Sequence, residues 1–242
     1  MNGRLKRKRA LISLCCFLLV FASCSSQNNS PATNSASTDT VVSSTPPFPT
    51  KEPERYRATR TMTSVAANGQ TNVAKMLIAK DGEMRRVESE FRSKRLVFLN
   101  LLQGEFILLP DDKMYASTSS NETVPGSAED GELTPEKLLH DDIGSTSYQK
   151  LGTEWIAGRN TNKYRVVVNS SNAANVSPYE SLIWIDEALG LPIKFENKSN
   201  GMRVTVELSE ITLDVDKAVF QIPADYHKLG LSELLDRLNV PK

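Results

Sequence analysis

Tyr148-Gln-Lys-Leu-Gly-Thr-Glu-Trp-Ile-Ala-Gly158, then Thr161-Asn-Lys-Tyr-Arg-Val-Val-Val168, then Ser181-Leu-Ile-Trp-Ile-Asp-Glu-Ala-Leu-Gly-Leu-Pro-Ile-Lys-Phe-Glu196, is the part of the chain that decides its fold. Val, Ile, Tyr, Trp and Phe dominate these runs, and they are the residues that fit a half-buried pleated surface. Gly152, Gly158, Asn160, Gly190 and Pro192 punctuate them at places where the backbone can turn. The stretch therefore predicts three or four β-strands. Trp184-Ile185-Asp186 leading into Leu189-Gly190-Leu191-Pro192 predicts a hairpin, with Gly190 at the positive φ its turn needs. No nucleophile, metal cluster or phosphate loop occurs in it.

Outward from this stretch, the same period of two continues. Tyr56-Arg-Ala-Thr-Arg-Thr-Met-Thr-Ser-Val65 and Val73-Ala-Lys-Met-Leu-Ile-Ala-Lys80 read as strands joined through Asn68-Gly69. Asp81-Gly82 is a hairpin signal, and Met84-Arg-Arg-Val-Glu-Ser-Glu-Phe91 returns from it. Arg95-Leu-Val-Phe-Leu-Asn-Leu-Leu102, Glu105-Phe-Ile-Leu-Leu-Pro110 and Lys113-Met-Tyr-Ala-Ser117 extend the series through Gln103-Gly104 and Asp111-Asp112. Short turns between neighbours predict an antiparallel meander. Thr134 as cap and Pro135 at the first helical position predict a short helix over Thr134-Pro-Glu-Lys-Leu-Leu139. Met202-Arg-Val-Thr-Val-Glu-Leu-Ser-Glu-Ile211 adds a further strand, and Phe220-Gln-Ile-Pro-Ala-Asp-Tyr226 a turn and exit. Leu231, Leu234, Leu235 and Leu238 have helical spacing, with Ser232 or its neighbour at the cap.

The first residues carry a different signal. Arg4, Lys6, Arg7, Lys8 and Arg9 precede an apolar run over 10–22 that is short for a membrane span, which predicts a leader peptide over 1–23. The run stops at Phe21-Ala22-Ser23-Cys24. Of three cysteines, Cys15 and Cys16 lie in the leader. An acylated Cys24 would leave no free thiol in the mature chain, which excludes disulfides, thiolate zinc sites and cysteine catalysis. An ordinary secretory signal with an incidental Cys24 is the alternative. Residues 24–54 are rich in Ser, Thr, Asn and Pro and predict a disordered tether. The remainder, 55–242, is long enough for one well-buried core.

Lys and Arg number 29, as do Asp and Glu; loss of the five leading cations leaves 24 against 29, a net charge of about −5. Such a surface excludes nucleic acid as a partner. His140 and His227 are the two histidines and stand in separate segments without carboxylates at ligand spacing, so no metal or other cofactor is expected. Asp111-Asp112, Glu129-Asp130 and Asp141-Asp142 sit at turns or element ends, where solvated loop charge explains them better than acid–base work. No Gly-x-Ser-x-Gly elbow is present, and the chain is read as a non-enzyme.

Gly152-Thr-Glu-x-Ile-Ala-Gly158, Lys163-Tyr-Arg-Val166, Trp184-Ile-Asp-x-x-Leu-Gly-Leu-Pro-Ile-Lys194 and Phe220-Gln-Ile-Pro-Ala-Asp-Tyr226, in this order behind a leader, resemble the LolA-like superfamily. That group includes periplasmic lipoprotein carriers, the receptor LolB, LppX and LprG, and the sensor RseB. Phe21-Ala22-Ser23-Cys24 likewise resembles the lipobox of bacterial lipoproteins, although the usual Leu three before the cysteine is Phe21 here. The resemblance covers about 55–226. It implies a mainly β (α+β) fold, a curved antiparallel sheet forming an incomplete barrel closed by a few helices. It implies an apolar cavity that holds lipid or lipoprotein acyl chains, and lipid attachment at Cys24. It also implies a periplasm-facing place in the bacterial envelope, at the outer membrane if Ser25 is read by enterobacterial sorting rules. The RseB-like alternative is a sensor or structural lipoprotein acting through an envelope protein partner.

Trp155, Tyr164, Trp184 and Phe195 are the candidate cavity lining. Ordinary sheet packing accounts for them equally, because alternation alone does not say which face is concave. Leu101 and Leu102, before Gln103-Gly104, are candidates for membrane contact of the kind LolB makes. Plain strand core is the other reading of those leucines.

Overall fold

The alternating runs form strands, and turns of a few residues lay each beside the last. In the computed structural model, residues 42–49, 51–118, 144–170, 179–199 and 201–238 are described. The strands are β1 (Val42–Ser43), β2 (Arg55–Val65), β3 (Thr71–Asp81), β4 (Met84–Phe91), β5 (Lys94–Leu101), β6 (Gly104–Leu109), β7 (Met114–Thr118), β8 (Gly144–Ile156), β9 (Arg159–Ser170), β10 (Tyr179–Asp186), β11 (Leu191–Ser199), β12 (Met202–Thr212) and β13 (His227–Lys228). A 3₁₀ turn, Lys217–Phe220, and helix α1, Leu231–Arg237, complete the described elements. All of these residues fall in the unit Asp39–Lys242. The leader, Cys24 and the helix expected at Thr134 lie outside the described residues.

The strands form one sheet in the order β1-β8-β9-β10-β11-β12-β2-β3-β4-β5-β6-β7-β13. Two meanders, β2–β7 and β8–β12, are thus joined by the antiparallel pair β12–β2. Only β13 runs parallel to its neighbour, β7. Since β1 and β13 are ends of the order, the sheet is open. The expected mainly β, antiparallel architecture is present, and one seven-residue α-helix is seen among the described residues.

Residues in direct register share a face. One row runs Tyr164, Ile183, Phe195, Val206, Met62, Ala74, and a second runs Ala58, Ile78, Val87, Phe98, Ile107, Ala116. Ala58 and Met62 are four apart in β2, so both rows lie on one face, called the inner face here. Three of the four apolar clusters belong to it. Leu234 of α1 and Leu238 at its C-terminal cap cover Leu96, Ile107, Leu109 and Ala116 there. The fourth cluster, Ala79, Val97, Leu99, Leu101 and Leu108, is on the outer face, under Val215, Phe220, Ile222 and Tyr226.

The hairpin expected around Gly190 is present, with φ +67. Asp186 organises it. Its backbone carbonyl accepts from Gly190 N at 2.9 Å, and its carboxylate accepts from Ala188 N at 3.0 Å and pairs with Arg159. The two-residue connection of β4 to β5 has no glycine. Arg92 and Ser93 take φ of 51 and 63 themselves, the mirror-image turn that matches strand twist.

The tether departs from its compositional reading. Its residues 42–49 and 51–54 form a strap laid on the sheet. Val42 and Ser43 pair with Gln149 and Tyr148. Phe48 is 7% exposed, its ring 4.7 Å from that of Tyr164 and 5.8 Å from that of Tyr148. Glu52 is buried, accepts from Tyr56 Oη at 2.8 Å and pairs with Arg85. One aromatic, one acid and two backbone pairs hold a segment whose composition otherwise reads as solvated.

A Cβ on residue 190 would meet Lys51 O at 2.9 Å and Pro49 Cβ at 3.3 Å. Gly190→Ala therefore strains both the turn and the strap. A loss of about 1–3 kcal/mol is expected in urea unfolding, together with faster amide exchange at Ser43.

Candidate functional site

Side-chain burial along the inner face is uneven. The β9–β10 end is closed by Phe48 and the β5–β7 end by α1. Between them Met62, Ala74, Met76, Phe195 and Val204 are half-buried. These side chains come from β2, β3, β11 and β12 and form an apolar strip with some accessible surface. Arg60 lies among them, 3% exposed, in register with Met76 and Leu208. Its position follows from β2, where Tyr56, Ala58, Arg60 and Met62 alternate onto one face. A cation in phase with apolar neighbours was the sequence signal for it.

Tyr164 and Phe195 are both on the inner face. Tyr164 is 1% exposed and its hydroxyl donates to Glu187 Oε1 at 2.6 Å. Burial and that carboxylate, in this order, hold its ionisation well above the ordinary tyrosine range. Tyr56 is held up in the same way, first by burial and then by the charge of Glu52. Trp155 pairs with Asn160 near the β8–β9 turn and is 72% exposed. Trp184 lies on the outer face. Its register partners are Lys163 and Lys194, whose Nζ atoms stand 4.8 and 5.0 Å from its ring. Its Nε1–H donates to Glu154 Oε2 at 2.7 Å, and Lys163 Nζ donates to Glu154 Oε1 at 2.7 Å. The Lys163 hydrogen bond, then the Trp184 one, holds the Glu154 carboxyl below its ordinary value. This is an aromatic sealed from solvent by polar neighbours, an amphipathic use of the outer face.

The paired leucines separate. Leu101 is 7% exposed in the outer cluster, whereas Leu102 is 77% exposed at the β5–β6 turn. Because the strands alternate in direction, the β5–β6 and β8–β9 turns fall at the same end of the sheet, so Leu102 and Trp155 share that rim. Among the described residues, no group of three or more His, Cys, Asp or Glu could hold a metal ion.

No protein-family model and no curated protein matches this sequence. Solved structures are similar to it in fold. LppX from Mycobacterium tuberculosis is 13% identical over 66% of this chain and 88% of its own, with a TM-score of 0.38. LprF from Mycobacterium bovis is 11% identical over 72% and 90%, TM-score 0.38. A LolA superfamily protein from Nitrosomonas europaea is 12% identical over 69% and 90%, TM-score 0.30.

The tyrosine environments have a measurable consequence. The native chain keeps Tyr56 and Tyr164 protonated where an unfolded chain has begun to release their protons. Stability contributed by these groups is present below about pH 10 and is lost as pH rises beyond it. In an absorbance titration at 295 nm, a slow late phase coincident with loss of near-ultraviolet dichroism is expected. Its absence would mean that these hydroxyls are open to solvent.

Proposed function

We propose that this chain is a bacterial envelope lipoprotein, tethered through Cys24, that takes lipid or lipoprotein acyl chains onto the apolar strip of its inner face. The observation that carries this reading is the strip itself: half-buried Met62, Met76, Phe195 and Val204 beside fully buried walls. Removing hydrocarbon from water favours such binding by about 0.8 kcal/mol per CH₂, less what ordering the ligand costs. Methionines suit the task because their unbranched side chains adapt to varied chains. No reacting group is required; the work is reversible partition.

Cys24 acylation supplies the membrane attachment, and several acyl chains at one terminus anchor far better than one. Leu102 and Trp155 make a second, weaker membrane contact at the rim they share, since exposed aromatic and aliphatic side chains favour the interfacial region. The leader supports the periplasmic side, and Ser25, read by enterobacterial sorting rules, supports the outer membrane.

Full-length protein carrying Cys24→Ala and expressed with its own leader should yield about one lipid per chain on extraction and mass spectrometry. The substitution removes covalently attached acyl groups, so any recovered lipid occupies the fold. A folded but lipid-free chain would overturn the carrier reading and direct attention to an envelope protein partner. Phe195→Asp in the same background is expected to lower the lipid content at least tenfold, through the unfavourable burial of a carboxylate against an acyl chain. Leu102→Ser with Trp155→Ser should reduce co-sedimentation with phosphatidylglycerol vesicles while leaving lipid content unchanged.

A further inference from the structure

Phe48 does more than fasten the strap. Its ring occupies a slot walled by Tyr148, Tyr164, Val166, Ile183 and Ile185 on the inner face. That slot is continuous with the half-buried strip: Ile183, a wall of the slot, is the direct register partner of Phe195, a member of the strip. A linear apolar chain lying along the strip toward β9 therefore runs into the space that Phe48 fills. We propose that this slot is the terminal acyl-chain subsite and that Phe48 is its resident plug, displaced when a chain enters. The inference rests on the acyl-binding reading above and adds to it a named subsite and a consequence for the tether.

Three features make the plug displaceable. Phe48 is the buried side chain between Val42 and Pro49; Ser44, Thr45, Pro47 and Pro49 are exposed. The sheet pairing that holds this part of the strap is two residues long. Pro46, Pro47 and Pro49 keep the segment extended whether docked or free, so little order has to be rebuilt on return. The second anchor is of a different kind. Glu52, buried with Tyr56 and Arg85, lies after Phe48 and can stay in place while 42–49 leaves. Displacement then frees residues 42–49 from the sheet.

Docked strap and bound chain compete for one space, so apparent affinity is lowered by the fraction of molecules whose slot is open. The test uses the full chain carrying Cys24→Ala, delipidated, with sodium palmitate as probe. Palmitate is expected to speed amide exchange at Ser43 and through 44–49 at least tenfold, while exchange in α1 is unchanged. Phe48→Ala is expected to bind palmitate about tenfold more tightly than the parent, read by displacement of cis-parinaric acid. The exchange measurement needs no substitution at Phe48, so it decides the matter even if Phe48→Ala folds poorly. Palmitate bound with the strap's protection intact would overturn the plug and leave acyl binding standing. No binding by either form would overturn both.

Discussion

The pairing of β12 with β2 is the constraint on which the molecule depends. Each meander is built from local hairpins, but neither alone makes the inner face. Val206 beside Met62 and Leu208 beside Arg60 join them. Thr59 Oγ1 donates to Glu210 Oε2 at 2.6 Å across a sequence separation of 151. Loop-closure entropy rises only logarithmically with separation, so the distance is tolerable. Register is the stricter demand. A slip of one residue would send Met62 and Arg60 to the outer face and break the row from Tyr164 to Ala74. The seam ends in a bulge between Ser209 and Thr212, with Glu210 at φ 53. The bulge bends β12 out of the ladder and starts the segment that crosses the outer face.

That crossing gives the two faces unlike roles. At β5 and β6 both faces are covered, the outer by the segment through Phe220 and the inner by α1. In the second meander the outer face meets solvent through capped polar clusters, of which Glu154, Lys163, Lys194 and Trp184 are one. Among the described residues, the strap closes the inner face there. The middle, where β11, β12, β2 and β3 meet, is what neither helix nor strap closes among the described residues. The half-buried strip thus lies between two local covers of different kinds.

Strand positions and most turns were legible because alternation and Gly, Asn or Asp signals are local. Gly82, Gly158 and Gly190 each sit at a turn with positive φ, as their neighbours imply. The α1 leucine stripe was equally plain. Faces were less so. Bulges at Lys150/Gly152 and at Trp184/Ile185 change the phase of alternation within the very strands that carry the candidate aromatics. Tyr164, Phe195 and Trp155 follow the inner-face row while Trp184 does not, and nothing local to Trp184 distinguishes it. The Arg92-Ser93 turn was hidden because both residues adopt a conformation that their types rarely take. The strap was hidden for a third reason. Its docking depends on Tyr148, Tyr164 and Arg85, which lie far from it in sequence, and on Tyr56, which belongs to the strand that follows.

The strap and the exit segment also settle a problem every open sheet has. The outermost strands of the two meanders, β8 and β7, would present unpaired backbone to other chains. Each is met by a two-residue strand from opposite ends of the domain, β1 against β8 and β13 against β7. Such short strands blunt an edge without offering a new long one. On the β13 side the cover is reinforced: Leu229 N donates to Tyr115 O at 2.8 Å, and Lys113 pairs with Asp225. On the β1 side Phe48 is seated on the inner face a few residues after the pairing. Edge pairing at β8 and the seating of Phe48 therefore belong to one short segment. Any ligand that takes the ring's place must also stabilise the domain enough to offset an uncovered edge.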